Sequence, residues 1–159
     1  LLLASRLEAR PPVREPIDLV ALLAEEVQRA GARDMSSGPA AYEGDPAALR
    51  RLVRNLLENA ARHGRPPVEA GVEAMANGWR IVVEDRGPGV AESERERIFA
   101  AFYRPAGHRE GDGGVGLGLS LVRQIAQRHG GSARCEARPG GGSRFVVELP
   151  RDAEGRGMP

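Results

Sequence analysis

Two asparagines and one arginine share a narrow arc of a helix predicted over 46–63. At about 100° per residue, Asn55, Asn59 and Arg62 fall within roughly 60° of one another. Amide oxygens can ligate a Mg²⁺ ion that already carries phosphate charge, and a guanidinium can bind two phosphate oxygens at once. Asparagine is also a poor residue for a helix interior. The arc therefore indicates a metal and phosphate site, with a solvated helix face as the alternative.

A carboxylate followed by two glycines stands directly after a strand predicted over 79–84. Asp85 can accept a hydrogen bond from an exocyclic amine, and Gly87 and Gly89 let the backbone approach a flat ring closely. The segment therefore indicates a turn that binds a ring, with an ordinary glycine turn as the alternative.

A glycine-rich loop over 103–115 leads into a helix predicted over 117–129. Its glycines permit close backbone approach, and a helix N-terminus offers free N–H groups to a phosphate. Residues 111–116 also satisfy the G-x-G-x-x-G pattern of dinucleotide-binding folds, but 103–110 contains no apolar run that could form the required preceding strand. The loop indicates a phosphate site, and a surface loop without a ligand is the alternative.

The elements that must position these residues are helices and a largely antiparallel set of strands. They predict a two-layer α/β sandwich of about three helices on a mixed, mostly antiparallel sheet. Helices are expected over 19–30 (capped by Asp18 and Gly31), 46–63 (capped by Asp45, with Gly64 as its stop), 92–102 and 117–129. Strands are expected over 68–76, 79–84, 132–138 and 143–149, with at most a short strand at 41–43 and a hairpin turn at Asn77-Gly78.

The composition fits one soluble globular domain. Of 159 residues 41% are apolar and 28% charged, and no apolar run reaches the roughly 18 residues of a membrane span. The positive residues are all arginine, but 23 of them against 22 acids leave a net charge of +1, which argues against nucleic-acid binding. Cys135 is expected to be a structural thiol. The start at Leu1 predicts a piece of a longer protein.

The segments stand in an order that resembles the catalytic, ATP-binding domain of bacterial sensor histidine kinases. The likeness covers roughly 13–150 and extends to the superfamily shared with gyrase, heat-shock chaperones and mismatch-repair ATPases, whose fold is the Bergerat-type sandwich. The matching motifs are the N box at 55–63, the first glycine box at 85–89, the F box at 98–104, the second glycine box at 114–119 and a closing strand over 142–150.

The resemblance implies an ATP pocket between the helices and the sheet, covered by the mobile loop 103–115. Asp85 would bind the adenine amine, Gly87 and Gly89 would admit the ring, and Arg104 would follow the γ-phosphate. Asn55 and Asn59 would face Mg²⁺, and Asn55 and Arg104 would be the catalytic residues. The other ATP-binding residues would be Arg62 (in place of the usual lysine), His63 at the pocket edge, Gly114, Gly116, Leu117, Gly118 and Leu119.

The family's phosphoacceptor histidine is followed by an acidic residue and a nearby proline, and His63, His108 and His129 lack that context. The resemblance therefore implies that the γ-phosphoryl goes to a histidine on a dimerisation domain outside this chain. Residues 1–10 would be the tail of that domain's helix, 11–150 the catalytic domain and 151–159 a disordered tail. Residues 33–44 are shorter than the family's usual paired strands, so that sheet edge is expected to be reduced or rebuilt.

The resemblance also implies a response regulator as partner and a homodimeric parent protein anchored in the inner membrane, with this chain as a monomeric cytoplasmic domain. A hydrolytic ATPase of the same superfamily is one alternative function. It would need a carboxylate where Asn55 stands, because an amide cannot act as a general base. A non-enzymatic nucleotide-binding module is the other alternative.

Overall fold

Helices lie on one side of a mixed sheet in the computed structural model, which describes residues 13–103 and 118–151. The strands are β1 (Glu15–Asp18), β2 (Arg33–Asp34), β3 (Ala41–Gly44), β4 (Glu69–Met75), β5 (Gly78–Glu84), β6 (Ser132–Ala137) and β7 (Ser143–Pro150). The helices are α1 (Leu19–Ala30), α2 (Pro46–His63) and α3 (Gly118–Arg128), with 3₁₀ turns at Glu92–Glu94 and Arg97–Phe99. The expected two-layer sandwich is confirmed.

The main sheet has the strand order β2-β4-β5-β7-β6. Its β2–β4 pair is parallel, whereas β4–β5, β5–β7 and β6–β7 are antiparallel. A separate antiparallel pair, β1 with β3, lies beside it, and the Trp79 indole N–H donates to the Ala41 carbonyl at 2.7 Å. The expectation of a mixed, mostly antiparallel sheet is confirmed, with β5 at its centre.

The helix boundaries follow the caps that the sequence predicts. Asp18 accepts a hydrogen bond from the Val20 N–H at 3.0 Å, and Asp45 accepts one from the Ala48 N–H at 3.2 Å. Gly31 ends α1 in the left-handed conformation, at φ 72°. The apolar stripe of α2 is buried against the sheet and the other helices, so this helix has one defined rotation about its axis; the buried residues are Ala48, Leu49, Leu52, Val53, Leu56, Leu57 and Ala60.

A buried carboxylate that belongs to none of the sequence motifs links α1 to α2. Glu26 is 2% exposed and accepts hydrogen bonds from Arg54 Nε at 3.0 Å and Arg54 Nη2 at 3.1 Å. The fork of the Arg54 guanidinium is the first cause of the lowered pKa of Glu26. This pair keeps α2, and with it the asparagine arc, at a fixed distance from α1.

Three local expectations were wrong. The segment 92–102 forms two short 3₁₀ turns and not one helix, because Ile98 and Phe99 both enter the core and Ala100 is already extended. Strands β1 and β2 were not expected. Strand β1 forms because Glu15–Asp18 pairs with β3, and the two residues of β2 form a strand because they pair with β4. The hairpin turn consists of residues 76–77, since Gly78 already pairs with Met75.

The structure places the thiol of Cys135 in the core. The side chain is buried among apolar residues on β6, and burial raises its pKa to about 12. Because the thiolate is the reactive form, this cysteine is inert at neutral pH, as expected of a structural thiol. No helix in the described part of the chain combines the length and the apolar character that crossing a membrane requires.

A buried histidine fixes α3 against the start of α2. His129 is 3% exposed; its Nε2 accepts from the Asp45 N–H at 3.1 Å, and its Nδ1 lies 2.8 Å from the Ile125 carbonyl. These partners require the neutral ring with its proton on Nδ1. Burial is the main cause of its lowered pKa; Arg14 and Arg128 lower it further, against the raising effects of the Ile125 carbonyl and of Asp45.

We expect this histidine to make the fold less stable as the pH drops below the ordinary histidine pKa of 6.5. In that range the unfolded chain takes up a proton that the folded chain rejects, so the unfolding free energy falls, by at most about 1.4 kcal/mol per pH unit. Urea denaturation at pH 7.5 and pH 5.5 measures the loss. His129→Gln keeps an acceptor for Asp45 but cannot titrate, so its stability should change much less; an equal loss in both proteins would contradict the assignment.

Candidate functional site

Asp85 stands where the central strand β5 ends. Its N–H donates to the Ser143 carbonyl at 3.0 Å, and its Oδ1 accepts from the Gly87 N–H at 2.8 Å. The residue is 3% exposed. On the outer face of the sheet the preceding Glu84 accepts from Arg144 Nη1 at 2.6 Å. A carboxylate is thus fixed by its backbone and by its side chain at the end of the sheet.

Two further segments of backbone approach Asp85 so closely, one at its side chain and one at its main chain, that only glycine fits at these positions. A Cβ on Gly64 would lie 2.3 Å from Asp85 Cγ, and a Cβ on Gly142 would lie 1.9 Å from the Asp85 carbonyl oxygen. The residue pattern alone gives Gly64 no role at the site and places Gly142 only in the closing strand. A glycine after a helix is typical of a helix end, so the sequence carried no signal for this contact.

The two glycines after Asp85 serve the turn itself. A Cβ on Gly87 would lie 2.7 Å from Gly64 Cα, so the start of this turn touches the end of α2. Gly89 has φ +81°, a left-handed conformation that other residues adopt at a cost. The structure therefore explains both glycines by backbone geometry, and their role in admitting a ring stays a prediction.

The predicted metal ligands lie on α2, beside the start of α3. Asn55 and Asn59 are both half-buried, and Asn55 Nδ2 donates to the Gly118 carbonyl at 3.1 Å. The structure thus brings together Asn55 from the first predicted motif and Gly118 from the third. Leu119, the next residue of α3, is half-buried and packs against the core.

The remaining predicted residues divide into two groups. Arg62 and His63 are exposed on the last turn of α2, directly before Gly64 and so at the end of the helix that reaches Asp85. Arg104, Gly114, Gly116 and Leu117 lie outside the described residues, as do residues 1–12, most of the loop 103–115 and the tail 152–159.

The donor set around Asn55 fits a hard cation that arrives with its own oxygen ligands. Within 13–103 and 118–151 no three His, Cys, Asp or Glu side chains gather in a way that could hold a metal ion. Because the amide nitrogen of Asn55 donates to Gly118, its amide oxygen remains the acceptor available to a cation. One or two amide oxygens with phosphate oxygens and water are ligands that Mg²⁺ accepts.

A family model matches most of the chain. Residues 44–153 match the family described as "Histidine kinase-, DNA gyrase B-, and HSP90-like ATPase". The matched range contains Asn55, Asn59, Asp85 and the glycine-rich loop, so it spans all three of the segments that the residues alone single out.

The chain is similar to part of two curated sensor proteins. It is 35% identical over 150 residues to the "Sensor histidine kinase CpxA" of Escherichia coli K12, which covers 94% of this chain and 33% of that protein. It is 37% identical over 168 residues to the "Signal transduction histidine-protein kinase/phosphatase MprB" of Mycobacterium tuberculosis H37Rv, which covers 98% of this chain and 32% of that protein. The chain thus spans about a third of the length of these relatives.

Solved structures show the same fold. The ATP-binding domain of PrrB from Mycobacterium tuberculosis superposes with a TM-score of 0.72 at 33% identity, over 87% of this chain and 98% of that one. Full-length ShkA, solved in complex with AMPPNP, superposes with a TM-score of 0.72 at 28% identity, over 89% of this chain and 32% of that one.

Proposed function

Since the chain belongs to the family of histidine kinase-, DNA gyrase B- and HSP90-like ATPases, we propose that it is the ATP-binding catalytic domain of a two-component sensor histidine kinase. Its reaction would be the transfer of the ATP γ-phosphoryl group to a histidine on a dimerisation domain. Its likeness to the sensor kinases CpxA and MprB over most of its own length supports the kinase branch of the family.

The adenine is proposed to bind at Asp85. One oxygen of the carboxylate accepts the Gly87 N–H, and a buried carboxylate has further lone pairs for an exocyclic amine. Gly64, Gly87 and Gly142 surround the residue without side chains. These contacts hold the Asp85 carboxylate in one orientation. This buried, fixed carboxylate is the single observation that most directly supports adenine binding at Asp85.

The phosphates are proposed to lie between α2 and the start of α3. There the Asn55 amide oxygen would ligate Mg²⁺ with help from Asn59, while Arg62 and Arg104 would neutralise phosphate charge. When bound, Mg²⁺ would withdraw charge from the phosphate oxygens. The chain's own part is to orient the γ-phosphoryl group, because phosphoryl transfer depends chiefly on positioning and on charge neutralisation.

Asn55 also favours phosphoryl transfer to a histidine over ATP hydrolysis. An amide can ligate a cation through its oxygen but cannot take a proton from water. The proposed acceptor is therefore a histidine and not water. The proposed partners are the dimerisation domain of a homodimeric parent protein and a response regulator. We place the domain in the cytoplasm, in a parent protein anchored in the inner membrane, on its likeness to sensor kinases.

The proposal predicts phosphotransfer in a two-component mixture. With Mg-ATP labelled at the γ position and the histidine-bearing dimerisation domain of the parent protein, label should appear on that domain as acid-labile phosphate. Released inorganic phosphate should stay well below the transferred label. A dimerisation domain with its histidine changed to alanine serves as the control and should remain unlabelled.

Two other results would each select a rival. Rapid release of inorganic phosphate without label on the histidine domain would identify a hydrolytic ATPase. ATP binding with neither transfer nor release would identify a nucleotide-binding module without catalysis.

A further inference from the structure

Helix α3 contacts α2 along one row of residues. Gly118 accepts from Asn55 at one end, His129 accepts from Asp45 just beyond the other, and the buried Ile125 lies between them. At about 100° per residue, the positions of Gly118, Ile125 and His129 lie within roughly 40° of each other around the axis of α3. Arg123 lies about 140° from Gly118 around the same axis. Arg123 therefore acts on a flank of α3 that faces away from α2.

Among the described residues, the Arg123 side chain contacts three groups on this flank. Its Nη1 donates to Glu96 Oε2, its Nη2 donates to the Ala133 carbonyl at 3.1 Å, and its Cζ lies 4.2 Å from the centroid of the Phe99 ring. The Phe99 ring in turn packs edge-on against Phe145 of β7 at 6.2 Å. One guanidinium thus joins α3 to β6, to the second 3₁₀ turn and to the residue before that turn.

The hydrogen bond to Arg123 is also the main cause of the lowered pKa of Glu96. A lysine could make one of the three contacts at a time, since its ammonium group is a point charge without the planar fork of arginine. The site thus uses the features that distinguish arginine from lysine.

We propose that Arg123 is a positioning residue for the metal and phosphate site. It sets the place of α3, and through the Gly118 carbonyl it sets the orientation of the Asn55 amide. This inference rests on the proposed function, because it takes Asn55 as the Mg²⁺ ligand.

The orientation of the Asn55 amide depends on a single described contact. While Nδ2 donates to Gly118, the amide oxygen is the atom of this side chain that can accept a cation. If α3 moves, the carbonyl no longer holds the nitrogen, and the amide can rotate to present N–H groups, which repel a cation. Loss of the Arg123 contacts should therefore weaken Mg²⁺ binding more than adenine binding, because the described contacts of Asp85 come from β7 and from Gly64 at the end of α2.

The test measures ATP binding by calorimetry at several Mg²⁺ concentrations. Arg123→Met should raise the Mg²⁺ concentration needed for half of the metal-dependent gain in affinity by about threefold to tenfold, the loss of one well-oriented hydrogen bond. Affinity for metal-free ATP should be unchanged within twofold. The control is Arg80→Met on the outer face of the sheet, where Arg80 forms ion pairs with Glu73 and Glu148. The two arginine side chains are similarly exposed, 29% for Arg80 and 24% for Arg123. It should leave the Mg²⁺ requirement unchanged.

A double-mutant cycle distinguishes positioning from a general loss of stability. In an Asn55→Ala background, Arg123→Met should have no further effect on the Mg²⁺ requirement, because the residue it acts through is gone. Arg123→Lys should raise the Mg²⁺ requirement less than Arg123→Met does. If the methionine variant does not fold, the lysine variant is used for the same measurements.

Three results would overturn the inference. They are an unchanged Mg²⁺ requirement in the folded Arg123 variants, an equal increase in the Arg80 control, and an undiminished increase in the Asn55→Ala background. A wild-type chain that binds no ATP would overturn the proposed function as well, so the two failures are distinguishable.

Discussion

Replacing Asp85 by alanine should lower the affinity for ATP by roughly tenfold to a hundredfold, the effect of losing a hydrogen bond to a charged acceptor, at about 1.5–3 kcal/mol. GTP affinity should fall much less, because guanine presents a carbonyl where adenine presents its amine. Asp85→Asn sharpens the test: its amide oxygen can still accept the Gly87 N–H, while its nitrogen would repel the adenine amine and could donate to guanine. Calorimetry with ATP and GTP measures both effects.

A second aspartate in the chain provides a matched control. Asp34 accepts the N–H of Ser36 at 2.9 Å, the same local bond that Asp85 makes with Gly87 at 2.8 Å, but it lies on the edge strand β2 and is exposed. Asp34→Asn should leave both nucleotide affinities unchanged. If Asp85→Ala binds ATP within about twofold of the wild type, far less than such a hydrogen bond contributes, then the adenine does not bind at Asp85.

Local signals predicted the elements that carry the site. The caps Asp18 and Asp45 and the apolar stripe of α2 gave the helix boundaries, because these features act within one or two turns of the chain. The same stripe fixes the rotation of α2, so the arc with Asn55 and Asn59 could be placed before its surroundings were known. The run of β-branched residues at Ile81, Val82 and Val83 likewise placed Asp85 at a strand end.

Contacts between distant segments could not be predicted in this way. Strand β1 forms only because β3 pairs with it. The 3₁₀ turn at Arg97–Phe99 forms because it lets Ile98 and Phe99 pack into the core between α3 and the sheet. At the site, the tight approach of Gly64 to Asp85 joins residues 21 positions apart, and the bond from Asn55 to Gly118 joins residues 63 positions apart. A single sequence carries no pattern for such pairs, so their positions had to come from the structure.

We expect Asn55 to control both the rate of phosphoryl transfer and the choice of acceptor between histidine and water. Asn55→Ala removes the proposed metal ligand and also the donor to the Gly118 carbonyl, so we expect phosphotransfer to the histidine domain to fall by an order of magnitude or more. Asn55→Asp keeps an oxygen for Mg²⁺ but loses the donor to Gly118, so it should retain more transfer than Asn55→Ala. Asn77→Ala, in the exposed turn between β4 and β5, is the control and should transfer like the wild type.

The same measurement should show that the wild-type chain binds ATP yet releases inorganic phosphate very slowly. A well-placed general base contributes about 10²–10⁴-fold to a reaction, and the amide of Asn55 cannot supply that contribution. Steady-state phosphate release by the chain alone, measured beside transfer to the added histidine domain, compares the two acceptors directly. Fast release that survives Asn55→Ala would mean that another group activates water. In that case Asn55 would not distinguish a kinase from a hydrolase, and this residue would no longer support a kinase function for the chain.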